Sequence, residues 1–168
     1  DAIALHEAGI KPVVASLGTA LSNDHIRQLL RYTDSKRIIF NFDADKAGTT
    51  ATERAIQEIE PLVYSGQVQL RILNLPGGKD ADEFLKSSDD AAQQYSQQLE
   101  TAPFWLDWQI QLLLQDQDLN QPDQIQQGTQ GMGKPLNRLQ DVTLRTHYLR
   151  HCAERLSQGD SQLTPLYT

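Results

Sequence analysis

The stretch Arg37-Ile38-Ile39-Phe40-Asn41-Phe42-Asp43-Ala44-Asp45-Lys46-Ala47-Gly48 passes without a gap from an apolar run, through an acidic turn, into small residues suited to a helix start. A second run, Val68-Gln69-Leu70-Arg71-Ile72-Leu73-Asn74-Leu75, leads through Pro76-Gly77-Gly78 to Asp80-Ala81-Asp82. Short apolar runs bounded by turn formers read as strands. Each acidic pair therefore stands just past the carboxyl end of a strand, the edge at which open α/β sheets bind ligands. A lone Asp-x-Asp is as readily a solvated turn, because aspartate bonds its own backbone. Two such pairs in equivalent places favour a metal site. Aspartates two apart can turn toward one point, and their hard oxygens suit Mg²⁺ or Mn²⁺.

Working outward, residues 1 to about 9 read as a helix with Ala2, Ile3, Leu5 and Ala8 on one apolar face. Residues 11–18 read as a strand that ends at Gly18. Ser22 or Asn23 is placed to cap the helix that carries Ile26, Leu29 and Leu30. A helix over 47–60 carries Ala51, Ala55, Ile56 and Ile59 and stops at Pro61. Asp82 is placed to cap a further helix through Leu85. Strands alternating with helices imply βαβ units, a mainly parallel sheet and right-handed crossovers.

Composition changes near residue 90, where glutamine becomes abundant and Trp105, Leu106, Trp108, Ile110, Leu112, Leu113 and Leu114 make a thick apolar stripe. Residues 126–135, rich in glycine and ending in proline, read as a loop, and a long helix is expected over about 136–156. The expected organisation is an α/β domain over 1–90 followed by a small all-helical bundle over 91–168.

The 168 residues carry a formal net charge of −7, the wrong sign for a module that holds nucleic acid by phosphate contacts alone. With one cysteine, Cys152, neither a disulfide framework nor a cysteine-based zinc site can be assembled. No apolar stretch approaches the roughly 18 to 20 residues that span a bilayer. The expectation is no membrane partner and a cytoplasmic location. The first residue is Asp1 rather than Met, in the middle of what reads as a helix, so the chain is expected to be a piece of a longer polypeptide.

Three segments, in order, resemble the Toprim domain of bacterial DnaG-type primases. They are Ala15-Ser16-Leu17-Gly18-Thr19, the residues 42–48 with Ala51 and Arg54-Ala55, and Leu75-Pro76-Gly77-Gly78-Lys79-Asp80-Ala81-Asp82-Glu83-Phe84-Leu85. The tail, with Tyr148 and Ala153-Glu154-Arg155-Leu156, is similar to the end of the helical subdomain that closes the primase polymerase core. Ala81 stands where the family usually has proline.

The resemblance implies a Toprim-like parallel sheet with flanking helices and then a small helical bundle, with the sheet's first strand missing. By this likeness Asp1 corresponds to the last residue of the family's Glu-Gly-Tyr-x-Asp motif, whose catalytic glutamate is absent. It also implies synthesis of RNA primers on single-stranded DNA by metal-dependent nucleotidyl transfer, in which a 3′-hydroxyl attacks an α-phosphate and pyrophosphate leaves. Divalent ions held by several carboxylates neutralise the charge that builds on both oxygens.

The carried-over set is Asp43, Asp45, Asp80 and Asp82 as ligands to Mg²⁺ or Mn²⁺, with Asp43 and Asp45 also catalytic and Asp1 in indirect support. Lys46 and Lys79 are candidate triphosphate contacts. The implied partners are single-stranded DNA template, ribonucleoside triphosphates and, through a domain absent here, the replicative helicase. The 168 residues alone are expected to be inactive. Another Toprim enzyme, a topoisomerase or nuclease, would use the same acids for strand cleavage, and a non-catalytic docking module would use the glutamine-rich helices to hold a protein. Elsewhere, His147 and His151 stand four apart but lack a third ligand, and Trp105 and Trp108 read as core.

Overall fold

The computed structural model describes residues 1–16, 21–41, 46–78, 80–115 and 117–158. Strands β1 (Arg37–Asn41) and β2 (Gln69–Leu73) pair in parallel, with Arg37 opposite Gln69 and Asn41 opposite Leu73. The helices are α1 (Ala2–Glu7), α2 (Asn23–Leu29), α3 (Lys46–Tyr64), α4 (Ala81–Leu85), α5 (Ala91–Thr101), α6 (Trp105–Leu114), α7 (Pro122–Arg138) and α8 (Val142–Leu156). A parallel sheet with flanking helices, followed by helices alone, is the architecture expected from the sequence.

The contacts divide the chain into two compact units. The first holds residues 1–63 and 68–104, the second residues 64–67 and 105–168. The boundary expected at residue 90 moves to Phe104, for a physical reason. Helix α5 belongs to the first core because Ala91 and Tyr95 are buried in a cluster with Leu5, Leu73, Leu75, Ala81 and Phe84. Its carboxyl end is tied to the sheet: the Arg37 guanidinium donates to the carbonyls of Leu99 and Glu100, and that of Arg71 to Ala102 O.

In the first unit, both strands alternate toward a core that includes Ile38, Phe40, Leu70 and Ile72, each at most 8% exposed. Ile26, Ile56 and Ile59, from α2 and α3, are also fully buried. Ser22 caps α2 in a reciprocal box, accepting from His25 N–H while His25 Nδ1 accepts from Ser22 N–H. His25 thus serves a helix start.

Four local expectations are corrected. Residues 11–16 make no strand. Val13 N–H bonds Lys11 O at 2.8 Å and Val13 O meets the His6 ring at 3.0 Å, so local contacts take the groups a ladder would use; residues 17 and 18 lie outside the described set. Helix α3 runs through Pro61 to Tyr64. A proline inside a helix costs about 3 kcal/mol, but Leu62, Val63 and Tyr64 are each buried beyond it, at about 1.5–3 kcal/mol for such a side chain.

The supposed loop 126–135 lies within α7. Its glycines permit close packing: a Cβ on Gly128 would lie 3.3 Å from Leu114 Cδ2, and one on Gly131 3.2 Å from Leu113 Cδ2. The long final helix instead breaks at Leu139, and Asp141 starts α8 by accepting from Leu144 N–H at 2.9 Å.

The second unit is a helical core of Trp105, Leu106, Ile110, Met132, Tyr148, Ala153 and Leu156. Trp105 and Trp108 are buried, as the sequence suggests. Tyr64 stands edge-on to Trp105 at 5.2 Å between centroids, with the Arg138 guanidinium 4.6 Å from its ring. The Tyr148 hydroxyl donates to Asp107 at 3.0 Å.

Candidate metal centre

Because β1 and β2 are parallel and in register at Asn41 and Leu73, the segments that follow them leave from the same edge of the sheet. Asp43 follows Asn41 by two positions in sequence, and Asp80 follows Leu73 by seven. Asp43, Asp45 and Lys79 lie outside the described residues, as does the side chain of Lys46.

After β2 the chain makes a short 3₁₀ turn at Pro76–Gly78, where Gly77 sits at φ +76°. That left-handed conformation is one glycine adopts without a Cβ penalty. The turn delivers Asp80 to the start of α4, where its Oδ1 accepts from Glu83 N–H at 2.7 Å. Asp80, rather than Asp82, is therefore the cap, since only a residue just outside the first turn can reach the unpaired N–H three positions on.

Asp82 lies inside the helix, half-buried, and its Oδ2 accepts from Lys86 Nζ at 2.6 Å. That hydrogen bond holds the Asp82 carboxyl below its usual pKa, and the same pairing raises that of Lys86. The backbone N–H of Asp82 donates to Asp1 Oδ1 at 3.3 Å, so a third carboxylate from the opposite end of the unit's sequence reaches the same helix start.

The donor chemistry fits a hard divalent cation, since Asp1, Asp80 and Asp82 offer carboxylate oxygens only. Yet among the described residues no three acidic, histidine or cysteine side chains are grouped tightly enough to hold an ion. The described part supplies Asp80 and Asp82 of the expected four-carboxylate set, and both carry a second duty. Asp80 caps a helix and Asp82 binds Lys86. The first duty is legible as a capping pattern at Asp80 with Glu83 three positions on, and the second as an acid–base pair four apart.

His147 and His151 stack along α8 with rings 6.4 Å apart, and no metal set forms there among the described residues. Burial pushes the Cys152 thiol up to about 11, so it is a protonated core residue. Among the described residues, no helix is long and apolar enough to cross a membrane.

The chain is similar to known proteins. A family model described as Toprim-like matches residues 1–85, and one described as the DnaB-helicase binding domain of primase matches residues 106–161. A DNA primase of Synechocystis sp. is 59% identical over 166 residues, covering 99% of this chain and 26% of the relative. One of Synechococcus elongatus is 55% identical over 162 residues, covering 96% and 23%.

Among solved structures, the E. coli primase catalytic core superposes with a TM-score of 0.72 at 30% identity, over 92% of this chain and 48% of that one. A DnaG primase catalytic domain bound to single-stranded DNA gives a TM-score of 0.72 at 28% identity, over 94% and 47%. The chain spans about a quarter of the length of the curated relatives it matches.

Proposed function

This chain belongs to the Toprim-like family and is related to DnaG-type DNA primases, and we propose that it forms part of a catalytic core that synthesises RNA primers on single-stranded DNA. The observation that carries this reading is the parallel pairing of β1 and β2, which ends both strands at one edge of the sheet, each a few positions in sequence before an acidic pair. In this proposal Asp43, Asp45, Asp80 and Asp82 hold Mg²⁺ or Mn²⁺, with Asp43 and Asp45 nearest the chemistry. The ion would supply charge neutralisation at the attacking and leaving oxygens. The chain's own residues would set two of the donors: the 3₁₀ turn and the Asp80 cap fix the start of α4, and Lys86, paired with Asp82, would yield that oxygen to a bound ion. Lys46 and Lys79 are proposed to meet the triphosphate of a bound ribonucleotide.

With a net charge of −7 and a quarter of its relatives' length, the 168-residue stretch is proposed to make no primers by itself. Template-binding basic surface would come from the rest of a primase-length polypeptide, acting in the cytoplasm. The helicase contact that the sequence reading places on an absent domain is better proposed on α6–α8, because residues 106–161 match the helicase-binding family.

The test is primer synthesis on single-stranded DNA with Mn²⁺, comparing a primase-length polypeptide with its Asp45→Asn variant. We expect the variant to lose about a hundredfold or more in rate, on the order of 2.7 kcal/mol of barrier. Equal rates would overturn the assignment of the acidic cluster.

A further inference from the structure

One buried residue outside the acidic segments touches both the last residue of β1 and helix α4. Tyr95 of α5 is 2% exposed. Its hydroxyl accepts from Asn41 Nδ2 at 2.9 Å, and Asn41 is the last residue of β1, two positions before Asp43. Its ring stands edge-on to Phe84, with centroids 6.1 Å apart at 60°. Phe84 is buried on α4, two positions after Asp82 and four after Asp80.

The helix that presents Tyr95 is itself fixed to both strands. Arg37 of β1 and Arg71 of β2 donate to the carbonyls at and just past its carboxyl end, where cations also meet the negative end of the helix dipole. Helix α5 therefore lies as a splint across β1, β2 and α4, and Tyr95 is where it meets the strand end and the acidic helix together.

We propose that Tyr95 is a positioning residue for the metal centre, its hydroxyl holding the carboxyl end of β1 while its ring seats α4, so that the end of β1 and the start of α4 keep one separation. This rests on the metal reading above. A hydrogen bond to the end of a ligand-bearing element acts as the supporting groups of a metal site do, by orienting donors they do not themselves supply.

The test is direct Mn²⁺ binding, read from the electron paramagnetic resonance of free Mn²⁺, with urea melting in EDTA run alongside. Tyr95→Phe keeps the ring against Phe84 and removes the hydroxyl. It is expected to bind Mn²⁺ about tenfold more weakly, Asn41→Ala to do the same, and the double variant to lose no more than either. Tyr32→Phe, at a tyrosine 88% exposed, serves as the control and should match the parent.

Unchanged Mn²⁺ affinity in Tyr95→Phe, even with lower urea stability, would reduce Tyr95 to a core residue and overturn the proposal, as would losses that simply add. If Tyr95→Phe does not fold, Asn41→Ala decides alone, and parental affinity in that variant overturns the proposal. A parent that binds no Mn²⁺ would overturn the metal reading itself and this inference with it.

Discussion

Two breaker-rich stretches, one in each unit, have opposite outcomes. Pro76-Gly77-Gly78 forms a tight turn with Gly77 at positive φ, whereas Gly128, Gly131, Gly133 and Pro135 lie inside the 17-residue helix α7. The residue types are the same and the surroundings differ. The first stretch follows a buried strand and must redirect the chain into α4. The second has Met132 and Leu136 buried four apart on one face, and its glycines let α6 approach closely. Breakers end a helix only where no partner surface repays the lost propensity, and packing of an amphipathic face supplies most helix stability in proteins.

The largest effect should separate a unit held by packing from a turn held by local geometry. Trp105→Ala removes a ring that is 1% exposed and should cost about 3–5 kcal/mol in urea unfolding; a loss below about 1 kcal/mol would mean that the helical unit lacks a true core. A smaller effect in the same unit comes from Cys152. Its raised pKa, about 11, means that the folded state favours the neutral thiol. The stability this brings is fully present below the unfolded thiol's pKa and is lost as pH rises toward 11. On the order of 1–2 kcal/mol should disappear over that window, and Cys152→Ala should flatten the loss. Persistent stability in the parent at pH 11 would contradict the buried placement.

The glycines test the comparison directly. Gly77→Ala should cost roughly 1–2 kcal/mol, because a Cβ is strained at that φ. Gly133→Ala should gain about 0.5–1 kcal/mol of helix propensity, since a Cβ there meets nothing within 4 Å. Thermal melts in which both changes move the same way would erase the distinction between the two stretches. Last, Asp80→Ala should cost about 1 kcal/mol as a lost cap, while Asp80→Asn stays within a few tenths of the parent. If Asp80→Asn also retains full Mn²⁺ affinity, Asp80 is a cap and no ligand.

Much of the first unit is legible in the chain because its signals are local. The described part of the run at 37–42 is β1, the run at 68–75 differs from β2 only at its ends, and the Ser22 cap, the β–α alternation and the acidic segments follow from residue type and spacing. Asp82 as the cap misreads the register of α4 by two positions, and the turn after Gly77 decides that register. Tyr95 has no motif to mark it. It is one tyrosine in a glutamine-rich helix, and its importance lies in contacts with Asn41, 54 positions away.

The sequence by itself determined the class of fold, the acidic segments and the buried tryptophans, because hydrophobic period, capping and turn chemistry act over a few residues. Only the tertiary structure decided that α5 belongs with the sheet, that α3 passes Pro61 and that α7 forms through its glycines. In each case burial against distant residues, worth more than the local preference opposing it, settles the conformation.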